Sequence, residues 1–342
     1  MTREQIQEIL KPIDELWKKS QHTAAPFDSV PASTWHGYGW RKDQTGLVVI
    51  SPFVKKQQHL GPIQHEFTKQ LSKKVTKQLP KKVKVEGLVL PAFRQLRTGN
   101  QHELRDPLQP GNVVFVSDCP HACTGTIGAF LIDGTQSIWL LSNQHVLGEC
   151  SSPNVIGAHA FPIGTEILAV PVQNKGNTVD AALVKIMNTS AINPEFAGMR
   201  RLANPRTAAL PKLRHLEPVK KLGNATDLTD GILVLHCQIV KVIGCTDGKE
   251  REFQDQLAFI SKNPEHRFAD EGDSGALIVA GTRPIGLLFA QTDTPTPETQ
   301  NEQSFQAPIF LANRWDLVIQ ELSKTIPQPI RLMLDKRMAA AS

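Results

Sequence analysis

The sequence predicts a mainly β protein that is preceded by a small unit of mixed helix and strand. After residue 110 the chain consists of short apolar runs separated by Gly, Asn, Asp and Pro, the pattern of short antiparallel strands. Before residue 110, helical periods alternate with strand-like runs. Charge divides the chain at the same place, since residues 1–110 carry 18 Lys and Arg against 10 Asp and Glu, whereas the remainder carries 20 against 23.

Composition is that of a folded globular protein. Of the 342 residues, 40% are hydrophobic, and 24 Pro and 23 Gly accompany charges of both signs. No apolar run reaches the roughly 18 residues of a membrane span, and the polar N-terminus lacks the pattern of a secretory signal. An odd number of cysteines in such a chain indicates reduced thiols, so we predict a cytoplasmic location. The cysteines are Cys119, Cys123, Cys150, Cys237 and Cys245.

A metal site is not expected. Cys119-Pro-His-Ala-Cys123 has the spacing of half a site, but no second Cys/His pair with matching spacing follows. We therefore predict neither a metal nor a cofactor.

The first 110 residues predict a separate α+β unit. A helical period over residues 2–20 precedes strand-like runs at 37–40 and 46–51, with a hairpin turn between those runs. A helix over 65–78 and an alternating strand over 83–90 follow.

Seven lysines near that second helix form the densest basic cluster. Such a cluster either attracts an anionic partner or is the solvated face of a helix. Neither interleaved aromatic residues nor a nucleic-acid-binding motif accompanies them, so we favour the solvated face and do not predict nucleic-acid binding. The cluster comprises Lys69, Lys73, Lys74, Lys77, Lys81, Lys82 and Lys84.

The short strands after residue 110 form two sets, which suggest one or two antiparallel barrels or a sandwich. Residues 188–217 have little periodicity and predict a linker between the sets. A helical period over 312–325 predicts a closing helix, and two prolines after it predict a loose C-terminal tail.

One turn in the second set has chemical potential. Gly272-Asp273-Ser274-Gly275-Ala276 precedes an apolar strand-like run. Its glycines permit the backbone angles of a tight turn with the hydroxyl facing outward. A serine hydroxyl is a weak nucleophile by itself, so it needs a base and an orienting acid elsewhere.

His145 and Asp180 are the favoured base and acid. His145 lies where an apolar strand ends and Gly148 follows, and Asp180 lies just ahead of another apolar strand. The small side chains of Ala181 and Ala182 would let an imidazole ring pack close to Asp180.

Three segments resemble the signatures of trypsin-like serine peptidases, in the chain order His, Asp, Ser that this family uses. They are Leu141-Ser-Asn-Gln-His145-Val146, Asp180-Ala-Ala-Leu-Val184 and Gly272-Asp-Ser-Gly275. Flanking stretches such as Thr124–Phe130 and Gly286–Ala290 are similar to a bacterial subgroup related to the plant narrow-leaf regulator, which also carries an N-terminal α/β domain.

The resemblance implies a chymotrypsin-like double β-barrel. Residues 111–200 would form the first barrel, with His145 and Asp180, and residues 201–326 the second, with Ser274 and the closing helix. Residues 1–110 would be the α+β unit, and residues 327–342 the tail.

The resemblance also implies the role of each residue. Ser274 would attack a peptide carbonyl, His145 would move the proton, and Asp180 would orient the imidazole. The backbone N–H groups of Gly272 and Ser274 would form the oxyanion hole.

Asp273 raises the question of activation. In secreted trypsins the matching Asp pairs with a new amino terminus made by zymogen cleavage. This sequence has no Ile-Val-Gly-Gly start behind a cleavable Arg. We therefore predict that Asp273 has an internal donor and that activity does not depend on such a cleavage.

The pocket for P1, the substrate residue whose carbonyl is attacked, is expected to include Phe268, Phe289 and Gln291. Phe268 lies six residues before Ser274, which favours a small or apolar P1 side chain. Asp270 and Glu271 are so close that a slip of one or two residues would reverse this preference.

These observations predict a cytoplasmic serine endopeptidase that hydrolyses protein or peptide substrates through an acyl-enzyme. The alternative is a catalytically silent peptidase-like scaffold that binds peptide or protein partners. Control by a protein partner docked on the N-terminal unit, or by oligomerisation, is a further hypothesis.

Overall fold

The computed structural model describes most of the chain and shows a mainly β protein, with 45% strand and 20% helix among the residues that it describes. The described residues are 3–20, 35–42, 47–75, 83–96, 107–116, 124–148, 155–156, 162–164, 166–199, 201–202, 216–293, 308–326 and 329–334. The mainly β class is confirmed.

The N-terminal part packs helices against a hairpin. Its elements are α1 (Arg3–Ser20), β1 (Trp35–Lys42), β2 (Val48–Val54), α2 (Leu60–Val75), β3 (Val83–Val85), β4 (Leu88–Val89) and β5 (Phe93–Gln95). β1 pairs antiparallel with β2, and β3 and β4 both pair parallel to β2. The antiparallel pairing of the two predicted runs is therefore confirmed, and the turn predicted between them lies outside the described residues. The single strand expected over 83–90 is two short strands.

Apolar spacing explains both helices. α1 buries the face that its helical period predicts. α2 begins five residues earlier than predicted, because Leu60 and Ile63 extend the buried face of Phe67 and Leu71. Residues 76–78, which we also predicted as helix, lie outside the described residues.

The middle of the chain forms two sheets. Its elements are β6 (Val113–Val116), β7 (Gly125–Thr126), β8 (Ala129–Ile132), β9 (Ile138–Ser142), α3 (Gln144–Leu147), β10 (Val155–Ile156), β11 (Pro162–Gly164), β12 (Ile167–Ala169) and β13 (Ala182–Lys185). One sheet has the strand order β11-β10-β6-β7, and the other contains β12-β13-β9-β8. The short strands predicted in this region are therefore confirmed where the chain is described, and residues 157–161, which we also predicted as strand, lie outside the described residues.

The last part of the chain forms a closed set of strands. Its elements are β14 (Pro218–Gly223), β15 (Asp227–Ile243), β16 (Glu250–Ser261), β17 (Leu277–Ala280), β18 (Arg283–Thr292), β19 (Phe310–Arg314), α4 (Trp315–Thr325) and β20 (Arg331–Leu332). Pairings run β14-β17-β18-β19-β16-β15 and return from β15 to β14. The two sheets of the middle part close no ring among the described residues, so the predicted double barrel is not confirmed.

The expectation of a loose tail is wrong for residues 329–334. β20 pairs antiparallel with β8, and Leu332 and Met333 are buried. Apolar residues at this end cover the sheet of the middle part, which the two preceding prolines do not prevent.

The N-terminal strands join the same sheet as the C-terminal ones. β1 pairs antiparallel with β15, and β5 lies between β15, to which it is parallel, and β18, to which it is antiparallel. The division into units at residues 110, 200 and 326 stays a prediction.

Cys119, Cys123 and Cys150 lie outside the described residues. Of the basic cluster, the structure describes the side chains of Lys69 and Lys84, which pair with Glu66 and Glu86 at 3.2 and 3.6 Å. No helix in the described part of the chain is long and apolar enough to span a bilayer.

Candidate active site

Ser274 lies on a tight turn immediately before β17. The turn has positive φ angles at Gly272 (100°) and Gly275 (93°), where a side chain would be strained. A Cβ on Gly275 would also lie 2.5 Å from the carbonyl oxygen of Thr126. Thr126 holds the turn in return, because its hydroxyl donates to the Gly272 carbonyl over 2.8 Å and its N–H to the Ser274 carbonyl over 2.7 Å.

His145 lies on the short helix α3, directly after β9 ends. Its ring is buried, and its backbone N–H donates to Oδ1 of Asp180 over 3.1 Å. The neighbouring Asn143 donates from its side-chain amide to the Asp180 carbonyl over 2.7 Å. The end of β9 and the start of β13 are thus tied together by the residues that we predicted as base and acid.

Asp180 is fully buried, and both its backbone and its carboxylate make hydrogen bonds. Its backbone N–H donates to the side chain of Asn313 on β19 over 2.9 Å, and its Oδ2 accepts from the amide of Gln95 over 2.6 Å. Burial alone would raise the pKa of this carboxyl, but the charge of His145 and its hydrogen bonds hold the pKa below the usual 3.8. Asp180 is therefore a carboxylate at neutral pH.

The structure brings the three predicted residues together. Nδ1 of His145 lies 2.7 Å from Oδ2 of Asp180, and its Nε2 lies 2.8 Å from Oγ of Ser274. A ring that donates from Nδ1 to the carboxylate directs the lone pair of Nε2 at the serine hydroxyl. This geometry allows proton transfer from Ser274 to His145, which is what a nucleophilic serine requires.

A residue that the sequence did not suggest fills the space in front of Ser274. The backbone carbonyl oxygen of Leu96 lies 2.8 Å from Oγ of Ser274 and 3.3 Å from Nε2 of His145, so it competes with Nε2 for the single proton of the hydroxyl. Leu96 and Ser274 are both 0% exposed. In this arrangement another peptide could reach the hydroxyl only after Leu96 had moved.

Asp273 has the internal donor that we predicted. Its Oδ2 lies 2.8 Å from Nζ of Lys221, and both side chains are 0% exposed. Oδ1 accepts from the N–H of Ala225 over 2.8 Å, and Oδ2 from the hydroxyl of Thr226 over 2.7 Å. Burial lowers the pKa of Lys221 and the charge of Asp273 opposes that shift.

The three predicted pocket residues have different positions. Phe268 is fully buried in an apolar cluster that also contains Leu96. Phe289 packs its ring elsewhere, 4.9 Å from that of Phe253, and contributes its carbonyl, which accepts from the Leu96 N–H over 3.2 Å. Gln291 pairs with Arg94 of β5 and accepts from Arg267.

Two groups in the site could have been found from the sequence by strand alternation. Lys221 shares its inward-facing set with Val219 and Gly223 on β14, and an inward lysine needs a carboxylate partner. Gln95 likewise faces inward between Arg94 and Leu96. The partners of both are distant in the sequence and carry no local signal.

Comparisons with known proteins find similar folds at low sequence identity. No protein-family model matches the chain, and no curated protein matches it. Similar solved structures include a glutamic-acid-specific serine protease, with 13% identity and a TM-score of 0.44, which covers 66% of this chain and 100% of its own. Protease A of Thermobifida fusca (14%, TM-score 0.42) and a chymotrypsin of Cellulomonas bogoriensis (14%, TM-score 0.40) have the same coverage.

These structures are chymotrypsin-like serine proteases, whereas the subgroup related to the plant narrow-leaf regulator finds no support among them. Their similarity to this chain is too low to carry an argument about its activity. We therefore base the function on the geometry around Ser274.

Proposed function

We propose that this chain is a serine endopeptidase that works through an acyl-enzyme. The observation that carries the proposal is the pair of short contacts made by His145, 2.7 Å to Asp180 and 2.8 Å to Ser274. These residues come from three separate parts of the chain. Pairing of β9 with β13 brings His145 near Asp180, and Ser274 arrives from the turn before β17.

The proposed reaction has two halves, formation of the acyl-enzyme and its hydrolysis. Ser274 Oγ attacks a peptide carbonyl while His145 Nε2 takes its proton, and His145 then protonates the leaving nitrogen. Asp180 holds the ring orientation and stabilises the imidazolium. Water, deprotonated by His145, then attacks the ester, which releases the new carboxylic acid and restores Ser274.

We propose the N–H groups of Gly272 and Ser274 as the oxyanion hole. Among the described residues, none accepts a hydrogen bond from either N–H. Each donor of such a hole is typically worth about 10²–10³ in turnover. The double barrel, the cytoplasmic location and control by a partner or by oligomerisation stay predictions.

A silent, peptide-binding scaffold is the second candidate, and one observation favours it. Ser274 is 0% exposed beneath Leu96, so a chain in which this contact were permanent would bind its own segment and cut nothing.

A fluorophosphonate probe, which reacts only with activated serines, separates the two candidates. We expect labelling of a Leu96→Gly variant, which lacks the apolar side chain that anchors the segment, and none of Leu96→Gly/Ser274→Ala or Leu96→Gly/His145→Ala. Absence of labelling in Leu96→Gly, with native circular dichroism, would overturn the peptidase and favour the scaffold.

A further inference from the structure

The segment that fills the site belongs to the chain itself and is held as a bound peptide would be. β5 pairs antiparallel with β18, with Gln95 opposite Ala290 and Arg94 opposite Gln291. The ladder continues to Leu96, whose N–H donates to the Phe289 carbonyl. Addition of an extended strand to a sheet is a common mode of peptide recognition, in which main-chain bonds give affinity and side-chain pockets give specificity.

Leu96 supplies the side chain for such a pocket. It is 0% exposed and belongs to the buried apolar cluster that contains Phe268 and Ala269, the residues that lead into the Gly272 turn. Arg94, two residues earlier on the same strand, is instead exposed and pairs with Asp293 at 3.1 Å. The segment is thus anchored at its last described residue, next to the nucleophile.

The carbonyl of Leu96 lies beside the nucleophile, with its oxygen turned to Oγ of Ser274. Its oxygen lies 2.8 Å from Ser274 Oγ, and a carbonyl carbon is about 1.2 Å from its oxygen. The carbon therefore lies within about 4 Å of Oγ but farther from it than the oxygen does, whereas attack needs the carbon at about 3–3.5 Å with the orbitals aligned. Attack requires this oxygen to turn away from Oγ towards the N–H groups of Gly272 and Ser274, which exposes the carbon to Oγ.

We propose that the chain cuts itself at the peptide bond between Leu96 and Arg97, with Leu96 as the P1 residue. This inference rests on the proposed function. Ser274 Oγ forms a bond to the Leu96 carbonyl carbon, and the bond from that carbon to the Arg97 nitrogen breaks. His145 takes the proton of the serine hydroxyl and delivers it to that nitrogen, which becomes an amino terminus. Water then hydrolyses the ester, which leaves a Leu96 carboxylate and restores Ser274.

The two fragments stay together after the cut. Residues 1–96 hold β1, which pairs along β15, and β2, which pairs with β1. The cut chain therefore keeps its native mass and separates only on denaturation. Its pocket, once Leu96 withdraws, accepts a substrate with Leu or a similar apolar side chain at P1.

The test follows the intact mass of the purified full-length chain with time at two protein concentrations. We expect fragments 1–96 and 97–342, formed at a rate that does not depend on concentration, and no cut in Ser274→Ala. Leu96→Met should cut within about tenfold of the natural rate, whereas Leu96→Asp should cut at least about 100-fold more slowly, because a carboxylate would enter an apolar pocket.

Peptides remove the risk that Leu96→Asp misfolds. The peptide Phe-Arg-Gln-Leu-Arg-Thr, which copies residues 93–98, is offered to Leu96→Gly beside its Leu→Asp analogue. Cleavage after Leu only is expected, and equal cleavage of both would overturn the assignment of P1.

The outcomes separate this inference from the function on which it rests. A natural chain that stays whole, or is cut at another bond, overturns self-cleavage even if Leu96→Gly is labelled by the probe and cleaves peptides. A Leu96→Gly variant that is neither labelled nor active overturns both.

Discussion

Lys221 and Asp273 form an ion pair, 2.8 Å from Nζ to Oδ2, in which neither side chain is exposed to solvent. Gly223 makes room for this pair, since a Cβ there would lie 2.2 Å from Oδ1 of Asp273. The residue before the candidate nucleophile is thus held by a charge that the folded chain already contains. No new amino terminus is needed to supply that charge.

Removal of this cation should destabilise the protein. Lys221→Met leaves Asp273 buried without its partner, and we expect a loss of roughly 3–5 kcal/mol in the free energy of unfolding, measured by urea denaturation. Lys220→Met is the matched control on the same strand, since Lys220 is half exposed and pairs with Asp230 at the surface. Its loss should stay below about 1 kcal/mol. Equal losses would contradict the structural role of the pair.

Asp180→Asn should inactivate the site while keeping a side chain of the same shape in it. Asn can no longer fix the His145 tautomer, so we expect the rate of fluorophosphonate labelling in the Leu96→Gly background to fall about 10⁴-fold. The measurement is the labelling rate at pH 7.5, with native circular dichroism as the check on folding. A rate within tenfold of the parent would count against the proposed role of Asp180.

The Ser274 turn should tolerate no side chain at Gly275. Gly275→Ala combines a left-handed backbone with close contacts to Thr126 and Ser142, and we expect a loss of about 2–5 kcal/mol in unfolding free energy. Gly281→Ala is the control, because its φ is also positive but nothing lies within 4 Å of the new Cβ. Only about 1–2 kcal/mol should be lost there. Urea denaturation compares the two, and similar losses would show that the contacts do not matter.

His36 should make the protein acid-sensitive. It is buried, and its Nε2 has no hydrogen-bond partner in the described part of the chain. Burial, with smaller contributions from Lys55 and Lys241, lowers its pKa from 6.5 to about 3. The unfolded chain therefore takes up a proton below pH 6.5 that the folded chain refuses until about pH 3. The free energy of unfolding therefore decreases as the pH falls from 6.5 towards about 3, by up to about 1.4 kcal/mol per pH unit.

Urea denaturation at pH 7, 6 and 5 measures that loss. His36→Gln should reduce the slope of unfolding free energy against pH, whereas His266→Gln, at an exposed position, should leave it unchanged. A slope that is the same in both variants would exclude His36 as its source.

Local patterns explain what the sequence predicted well. The period of apolar residues in α1 and the glycines around Ser274 act over a few residues, so they are visible without a structure. His145 and Asp180 were predicted in the same way, each from its place at a strand end.

Long-range pairing explains what the sequence did not predict. Leu96 and Phe289 are almost 200 positions apart, and nothing near either residue indicates that they bond. The occupied site, the Gln95 contact with Asp180 and the pairing of β1 with β15 all depend on such distant partners. Lys221 could be predicted in part, because alternation along β14 indicates that it faces inward but does not indicate which carboxylate it pairs with.

The pairing of β1 with β15 has a consequence for any shortened chain. β15 spans 17 residues, and β1 bonds to its outer edge from Val240 to His236. Without residues 1–110 these N–H and C=O groups would lie open along the edge of a strand, which is a template for pairing between molecules. Such a fragment should self-associate through that edge, so point substitutions are the sounder way to study the N-terminal unit.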